Sequence, residues 1–289
     1  MHVLSTVAAP AVALETTLLL HGVPKQQGKP LADDLAAIVS RAGANPALVG
    51  IFNGTPTVGL SDDQLDILLA ASSVPKVNSS NLGLILHNKS HGATTVSTTM
   101  ELAAAANVSF FATGGLGGVH RGYASHLDIS ADLAAFTRFP VAVVTSGVKS
   151  ILDVVATREI LESLGVPVVG FRTARFPAFY LRESDAAVDA SFDDPADLAR
   201  FCRCELDRTG RGIVVCNPIP SADELPRPQW DRWLADAIAN APADGRDVTP
   251  TILANLHALS GGQTLRANLA LVRSNAALAA QLAVLAHAR

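Results

Sequence analysis

Short runs of β-branched and apolar residues alternate with stretches of helical length along the whole chain, and this alternation limits the fold more than any single motif. Strands buried on both faces read as continuous apolar runs, because helices cover each side of their sheet. Such strands are predicted at Ala11–Leu20, Leu48–Phe52, Val108–Thr113, Pro140–Ser146, Val166–Phe171 and Ile213–Asn217. Helical periods fall at Leu31–Ala42, Ser61–Ala70, Thr94–Ala106, Ser130–Ala135, Ser150–Leu164, Pro195–Asp207, Gln229–Ala241, Thr249–Ser260 and Gln263–Ala286. Ser61 followed by Asp62, Asp63 and Gln64 has the pattern of a capping box. The expected architecture is α/β: a single three-layer α/β/α domain over residues 1–289 with a mostly buried central sheet. The most polar interval, Arg182–Asp197, reads as a surface loop, and no linker-like Gly/Ser or Pro tract divides the chain.

Composition narrows the function. With 49% hydrophobic and 17% charged residues among 289, the chain buries a sizeable core and is not disordered. A net charge of −4 offers no basic footprint for nucleic acid or an anionic membrane, so the expected partners are small molecules or copies of itself. The apolar opening lacks a Lys/Arg-rich start and is interrupted by Glu15, so it reads as a buried strand and not as a leader. No apolar run reaches the roughly 20 residues a bilayer span needs, and a cytoplasmic protein is expected. Cys202, Cys204 and Cys216 match neither a zinc pair nor a redox motif, and read as reduced, mostly buried thiols.

The densest chemistry lies in Ala112–Asp132. Gly114, Gly115, Gly117 and Gly118 follow a predicted strand and let the backbone approach a ligand closely. They do not make a dinucleotide fingerprint, because His120 takes the third glycine position and the next helix starts only near Ser130. His120, Arg121, His126, Asp128 and Asp132 follow. Asp128, Ser130 and Asp132 read either as helix capping or as ligands of a hard cation held largely through water.

Lys149 lies just past the strand ending at Ser146, the end of a buried strand where open α/β sheets place reactive groups. A lysine buried there becomes a neutral amine more readily, and a neutral amine attacks carbonyl carbon to form a Schiff base. Glu15 is a carboxylate inside an otherwise apolar run. Desolvation would raise its pKa and suit it to general acid work, whereas an edge strand would leave it facing water.

With these residues assembled, the chain resembles the pseudouridine-5′-phosphate glycosidase family, also called indigoidine-synthase-A-like. The likeness runs collinearly through ALETTLLLHGVP (Ala13–Pro24), GATTVSTTM (Gly92–Met100), FFATGGLGGVHRG (Phe110–Gly122), DISADL (Asp128–Leu133), VAVVTSGVKSILD (Val141–Asp153) and SGGQTLRANLALVRSNAALAA (Ser260–Ala280). It implies one α/β/α domain, a homotrimer, and a Mn²⁺ or other divalent ion such as Mg²⁺ held by Asp128. It implies Lys149 as the Schiff-base nucleophile, Glu15 as proton donor, and Lys76, Thr95, Val96, Ser130, Ala131 and Asp132 around the substrate. Asp132 and His120 also fall on active-site positions, and Asn268 falls near the nucleobase.

The implied activity joins or separates C1′ of ribose 5-phosphate and an aromatic carbon. Departures are local: Lys76–Gly83 reads K-V-N-S-S-N-L-G where the family usually has K-V-S-R-R-D-L-P, and HNKSHG (His87–Gly92) and Glu183–Ser191 also differ. These segments are read as the wall around the aglycone. On that reading the alnumycin-type C-glycosynthase branch, acting in aromatic polyketide biosynthesis, is placed ahead of uracil salvage.

Overall fold

The computed structural model describes residues 2–123, 127–240 and 248–288; His126 and Ala241 lie outside them. The chain runs β1 (Leu4–Ser5), β2 (Ala11–Glu15), α1 (Thr16–His21), α2 (Lys25–Arg41), β3 (Asn45–Phe52), β4 (Thr55–Val58), α3 (Asp62–Ala70) and β5 (Lys76–Val77). It continues through α4 (Leu82–His87), β6 (Gly92–Thr94), α5 (Val96–Ala105), β7 (Phe110–Ala112), α6 (Ala131–Ala135), β8 (Ala142–Thr145) and α7 (Val154–Ser163). It closes with β9 (Val168–Phe171), β10 (Ala190–Phe192), α8 (Pro195–Thr209), β11 (Ile213–Cys216), α9 (Arg227–Ala239), α10 (Val248–Leu259) and α11 (Gln263–His287).

All eleven strands join one sheet in the order β1-β4-β3-β2-β7-β8-β11-β9-β10, with β6 on β3 and β5 on β6. Among the strand pairs of the described residues, only β3–β4 and β3–β6 are antiparallel. Alternation of side chains splits the core between two faces. Val12, Leu14, Phe110, Ala112 and Val144 pack with residues of α2, α8, α9 and α11, while Ala13, Phe111 and Val143 pack with residues of α5, α6 and α7. The expected three layers are therefore present.

The chain steps from β2 to β3 on one side, and β7 later takes β2's other side, so the strand order reverses at β2 and β7. Crevices outside the carboxyl ends of strands at such a reversal hold ligands in open α/β sheets. Glu15 ends β2, Thr113 follows β7, Ser146–Lys149 follow β8 and Asn217 follows β11.

Several expected elements differ. The strand predicted at Ala11–Leu20 stops at Glu15, and Thr16–His21 is helical. Leu14 is the last residue that β7 pairs, so the chain leaves the sheet beside it and buries Thr16 and Leu19 on a helix. The helix predicted from Ser150 begins at Val154, because the Ser150 hydroxyl donates to the Ala178 carbonyl (2.7 Å) and Asp153 caps the helix by accepting from Ala156 N–H (2.9 Å). The interval read as a surface loop contains the edge strand β10, fastened by Asp189 to Arg158. The capping box at Ser61 forms as expected.

α11 is long and apolar enough to cross a membrane by length and composition, although Arg266, Asn268, Arg273 and Asn275 interrupt its apolar run. Half of its most apolar stretch is buried inside the fold, where it packs on β2, β7 and β8. All three cysteines are free; Cys202 and Cys216 are buried and Cys204 is exposed.

Candidate active site

Glu15, Lys76, Thr113, Lys149 and Asn268 line one cavity of about 600 Å³. Glu15 is 8% exposed, and burial pushes its carboxyl up to about 7. Lys149 and a hydrogen bond from Thr113 Oγ1 to Glu15 Oε1 (2.5 Å) pull in the opposite direction without cancelling that cost. The upward shift is the one expected for a carboxylate inside an apolar strand, and a carboxyl poised near neutrality can hold a proton for delivery. Burial first, then the positive charge of Lys149, lowers the pKa of Lys76.

Lys149 reaches the cavity from a turn that only glycine can make. Gly147 has φ of +81°, and a Cβ there would stand 1.8 Å from the Pro177 carbonyl oxygen. The turn is clamped to the glycine-rich loop, where Leu116 N–H donates to Gly147 O (2.9 Å) and Lys149 N–H donates to Leu116 O (3.1 Å). Gly115 gives close passage to the Phe179 ring, which a Cβ would approach to 2.5 Å. The expectation that Lys149 is buried is not met. Its side chain is exposed, because the turn projects it into an open cavity and not into the core.

The remaining expected residues do not line this cavity. Thr95 and Ser130 stand at the N-terminal ends of α5 and α6, with Val96 and Ala131 as the first helical residues. Asp132 joins the two helices: Oδ1 accepts from Ser97 N–H (3.0 Å) and Oδ2 from Gly117 N–H (2.9 Å). It is 5% exposed with both oxygens engaged, and its charge reaches Glu15 and raises that carboxyl further. Ser130 caps α6 by accepting from Asp132 N–H, so the capping reading of D-I-S-A-D holds for Ser130.

His120 Nδ1 lies 3.6 Å from Asp128 Oδ2, and the Asp128 side chain is well exposed. Among the described residues no three His, Cys, Asp or Glu side chains converge. A divalent ion at Asp128 would accordingly be held by a single carboxylate, with waters and ligand oxygens completing its shell, an arrangement that suits a hard cation.

The departures at Asn78–Gly83, His87–Gly92 and Glu183–Ser191 do not line the cavity, against the expectation that they wall the aglycone. Asn78 and Asn81 close their loop on itself instead. Asn78 Oδ1 accepts from Ser80 N–H (2.9 Å), and Asn81 Oδ1 accepts from Asn78 N–H (2.9 Å).

Sequence reasoning missed two groups. Asn275, wholly buried on α11, donates to the Thr113 carbonyl (2.8 Å) and accepts from Asn217 Nδ2 (3.0 Å), tying the ends of β7 and β11. A second asparagine, two turns after Asn268 among the alanines and leucines of that helix, was its signal. His21, Phe179, Tyr180 and Leu265 also line the cavity, and the Phe179 and Tyr180 rings meet edge-on with centroids 4.7 Å apart.

The chain matches the family model described as indigoidine synthase A like protein over residues 3–285. It is 47% identical over 281 residues to the pseudouridine-5′-phosphate glycosidase of Methylobacterium nodulans, covering 96% of this chain and 83% of the relative. It is 43% identical to that of a Nocardioides species, covering 95% and 91%. The solved prealnumycin C-glycosynthase AlnA in complex with ribulose 5-phosphate superposes with a TM-score of 0.91 at 32% identity, covering 99% of this chain and 98% of that one. An indigoidine synthase A-like protein from Thermotoga maritima gives 0.90 at 34% identity, covering 98% and 97%.

Proposed function

The chain belongs to the indigoidine synthase A-like protein family, and on that footing we propose that it is an enzyme of pseudouridine 5′-phosphate, cleaving and forming the bond between C1′ of ribose 5-phosphate and C5 of uracil. Relatives at 47% and 43% identity are pseudouridine-5′-phosphate glycosidases, which supports uracil over the polyketide aglycone favoured from the loop departures. The carrying observation is that Lys149 and a Glu15 carboxyl raised to about 7 share one cavity.

A C-glycoside offers no leaving oxygen between sugar and base for an acid to protonate. Glu15 instead gives its proton to O4′ while the pyrimidine ring supplies the electron pair that expels it, leaving a double bond between C5 and C1′. Lys149 Nζ adds to C1′, and the ring regains those electrons. The Glu15 carboxylate takes the surplus proton from the new ammonium and delivers it to C5. The C1′–C5 electrons then return to the ring as the lysine nitrogen's lone pair forms an iminium with C1′. Water adds to the iminium and releases ribose 5-phosphate and the free amine, its surplus proton returning to the Glu15 carboxylate, and the same steps reversed make the bond.

Lys76, Thr95, Val96, Ser130, Ala131 and Asp132 hold the sugar phosphate in this reading, and His120 and Asp128 stand beside it. Asp128 would hold a divalent ion such as Mn²⁺ or Mg²⁺, which would supply charge neutralisation for the phosphate. Assembly as a homotrimer belongs to the same reading. The exposed apolar side chains of Leu127, Ile129 and Val155 offer surface for it, and sedimentation measures it directly.

Borohydride added with ribose 5-phosphate should fix one sugar phosphate on Lys149, and peptide mass spectrometry without that adduct overturns the mechanism. A second reading, C-glycosylation of a larger aromatic, draws on the cavity of about 600 Å³ and the likeness to the prealnumycin enzyme. Uracil and a hydroxylated naphthoquinone offered in competition with ribose 5-phosphate separate the two by product mass.

A further inference from the structure

One wall of the cavity carries two hydrogen-bond acceptors that no described residue satisfies. The first is Asn268 Oδ1, which is buried without a partner. Its amide nitrogen donates to the Gly22 carbonyl (3.3 Å), and a carbonyl receives only from a donor, so this contact sets which end of the amide is oxygen. A Cβ on Gly114 would stand 3.3 Å from Oδ1, so glycine there keeps the space before the oxygen open.

The second acceptor is on His21, immediately before Gly22. Its Nε2 lies 2.9 Å from the Val74 carbonyl, so by the same reasoning Nε2 carries the hydrogen. Partial burial, and after it the positive charge of Lys76, holds the imidazole pKa below its ordinary value. The ring is therefore neutral near pH 7 and Nδ1 keeps its lone pair. The bond from Asn268 to Gly22 fastens both acceptors to one stretch of wall, in the cavity that Phe179 and Tyr180 also line.

We propose that His21 is a specificity-determining residue whose Nδ1, with Asn268 Oδ1, accepts hydrogen bonds from the ring N–H groups of the aglycone. The proposal rests on the uracil reading above. Uracil joined through C5 keeps both of its ring N–H donors, whereas uracil joined through nitrogen has spent one on the glycosidic bond. Two acceptors without donors therefore select for the carbon-linked isomer, because a ligand that brings no donor leaves them desolvated and unpaired.

The experiment compares kcat/KM for pseudouridine 5′-phosphate with its N1-methyl and N3-methyl derivatives, in the native enzyme and in His21→Leu and His21→Gln. The native enzyme is expected to discriminate against at least one derivative by about tenfold or more. In His21→Leu the unmodified substrate loses roughly that factor while the methylated one changes little, so the ratio falls toward one. His21→Gln can keep a donor for Val74 and present an oxygen, and restores most of the ratio. His21→Met serves as a second variant lacking the acceptor should the leucine protein not fold.

A native enzyme indifferent to both methyl groups, or a folded variant that keeps the native ratio for both, overturns the assignment. Borohydride trapping of ribose 5-phosphate runs alongside in every protein. Its absence from the native enzyme refutes the reaction itself, whereas normal trapping with unaltered discrimination refutes only the role of His21.

Discussion

Thr113 donates its hydroxyl to Glu15 Oε1 at 2.5 Å, joining the carboxyl ends of β7 and β2 where the strand order reverses. The bond holds the carboxyl in a buried position that would otherwise be costly, and leaves its proton near neutrality.

Removing the charge at position 15 should separate stability from activity. Folding raises the Glu15 pKa from 4.5 to about 7, so the folded chain binds an extra proton in that window and loses stability as pH climbs through it. Glu15→Gln escapes this loss. Urea denaturation should show it level with the native protein at acid pH but more stable by up to about 3 kcal/mol at about pH 8, with turnover abolished.

Thr113→Val withdraws the bond that favours the Glu15 carboxylate. Its pKa should rise further, and since the proposed acid works protonated, the alkaline fall in kcat/KM should shift to higher pH. A pH profile superimposable on the native one contradicts the role of Glu15 as the acid.

Gly147→Ala combines a left-handed backbone with a Cβ driven into the Pro177 carbonyl. A destabilisation of about 3 kcal/mol or more is expected by thermal or urea unfolding, together with loss of the Lys149 adduct in any protein that folds.

Asn275→Leu leaves the Thr113 carbonyl without its buried donor and the Asn217 amide with Ser274 Oγ alone. The expected cost is about 2–4 kcal/mol in urea, and turnover should fall because the anchor of Glu15 and the turn leading to Lys149 share this network. An unchanged kcat in a folded variant rejects that coupling.

Layering and the reactive strand ends were legible because buried parallel strands announce themselves as apolar runs, and because a glutamate inside such a run is chemically anomalous. What escaped has physical causes. Thr16–Leu20 is as apolar as the strand before it, so composition does not reveal that the chain turns helical there. The strands β5, β6 and β10 span two or three residues, too few for alternation to register. The hairpin of β3 and β4 was signalled by Asn53–Gly54, both at positive φ, although apolar period alone marks only Leu48–Phe52. The exposure of Lys149 follows from a cavity assembled by distant segments, and His21 became informative only once the carbonyl beside its ring was located.

The contact between Thr113 and Asn275 bridges 162 residues, so the last long helix closes a centre whose reactive groups come from the first half or so of the chain. A ribosome translating this message has released every strand of the sheet before that helix leaves the exit tunnel. Truncations that spare Lys149 but remove α11 should therefore yield a lysine without a reaction.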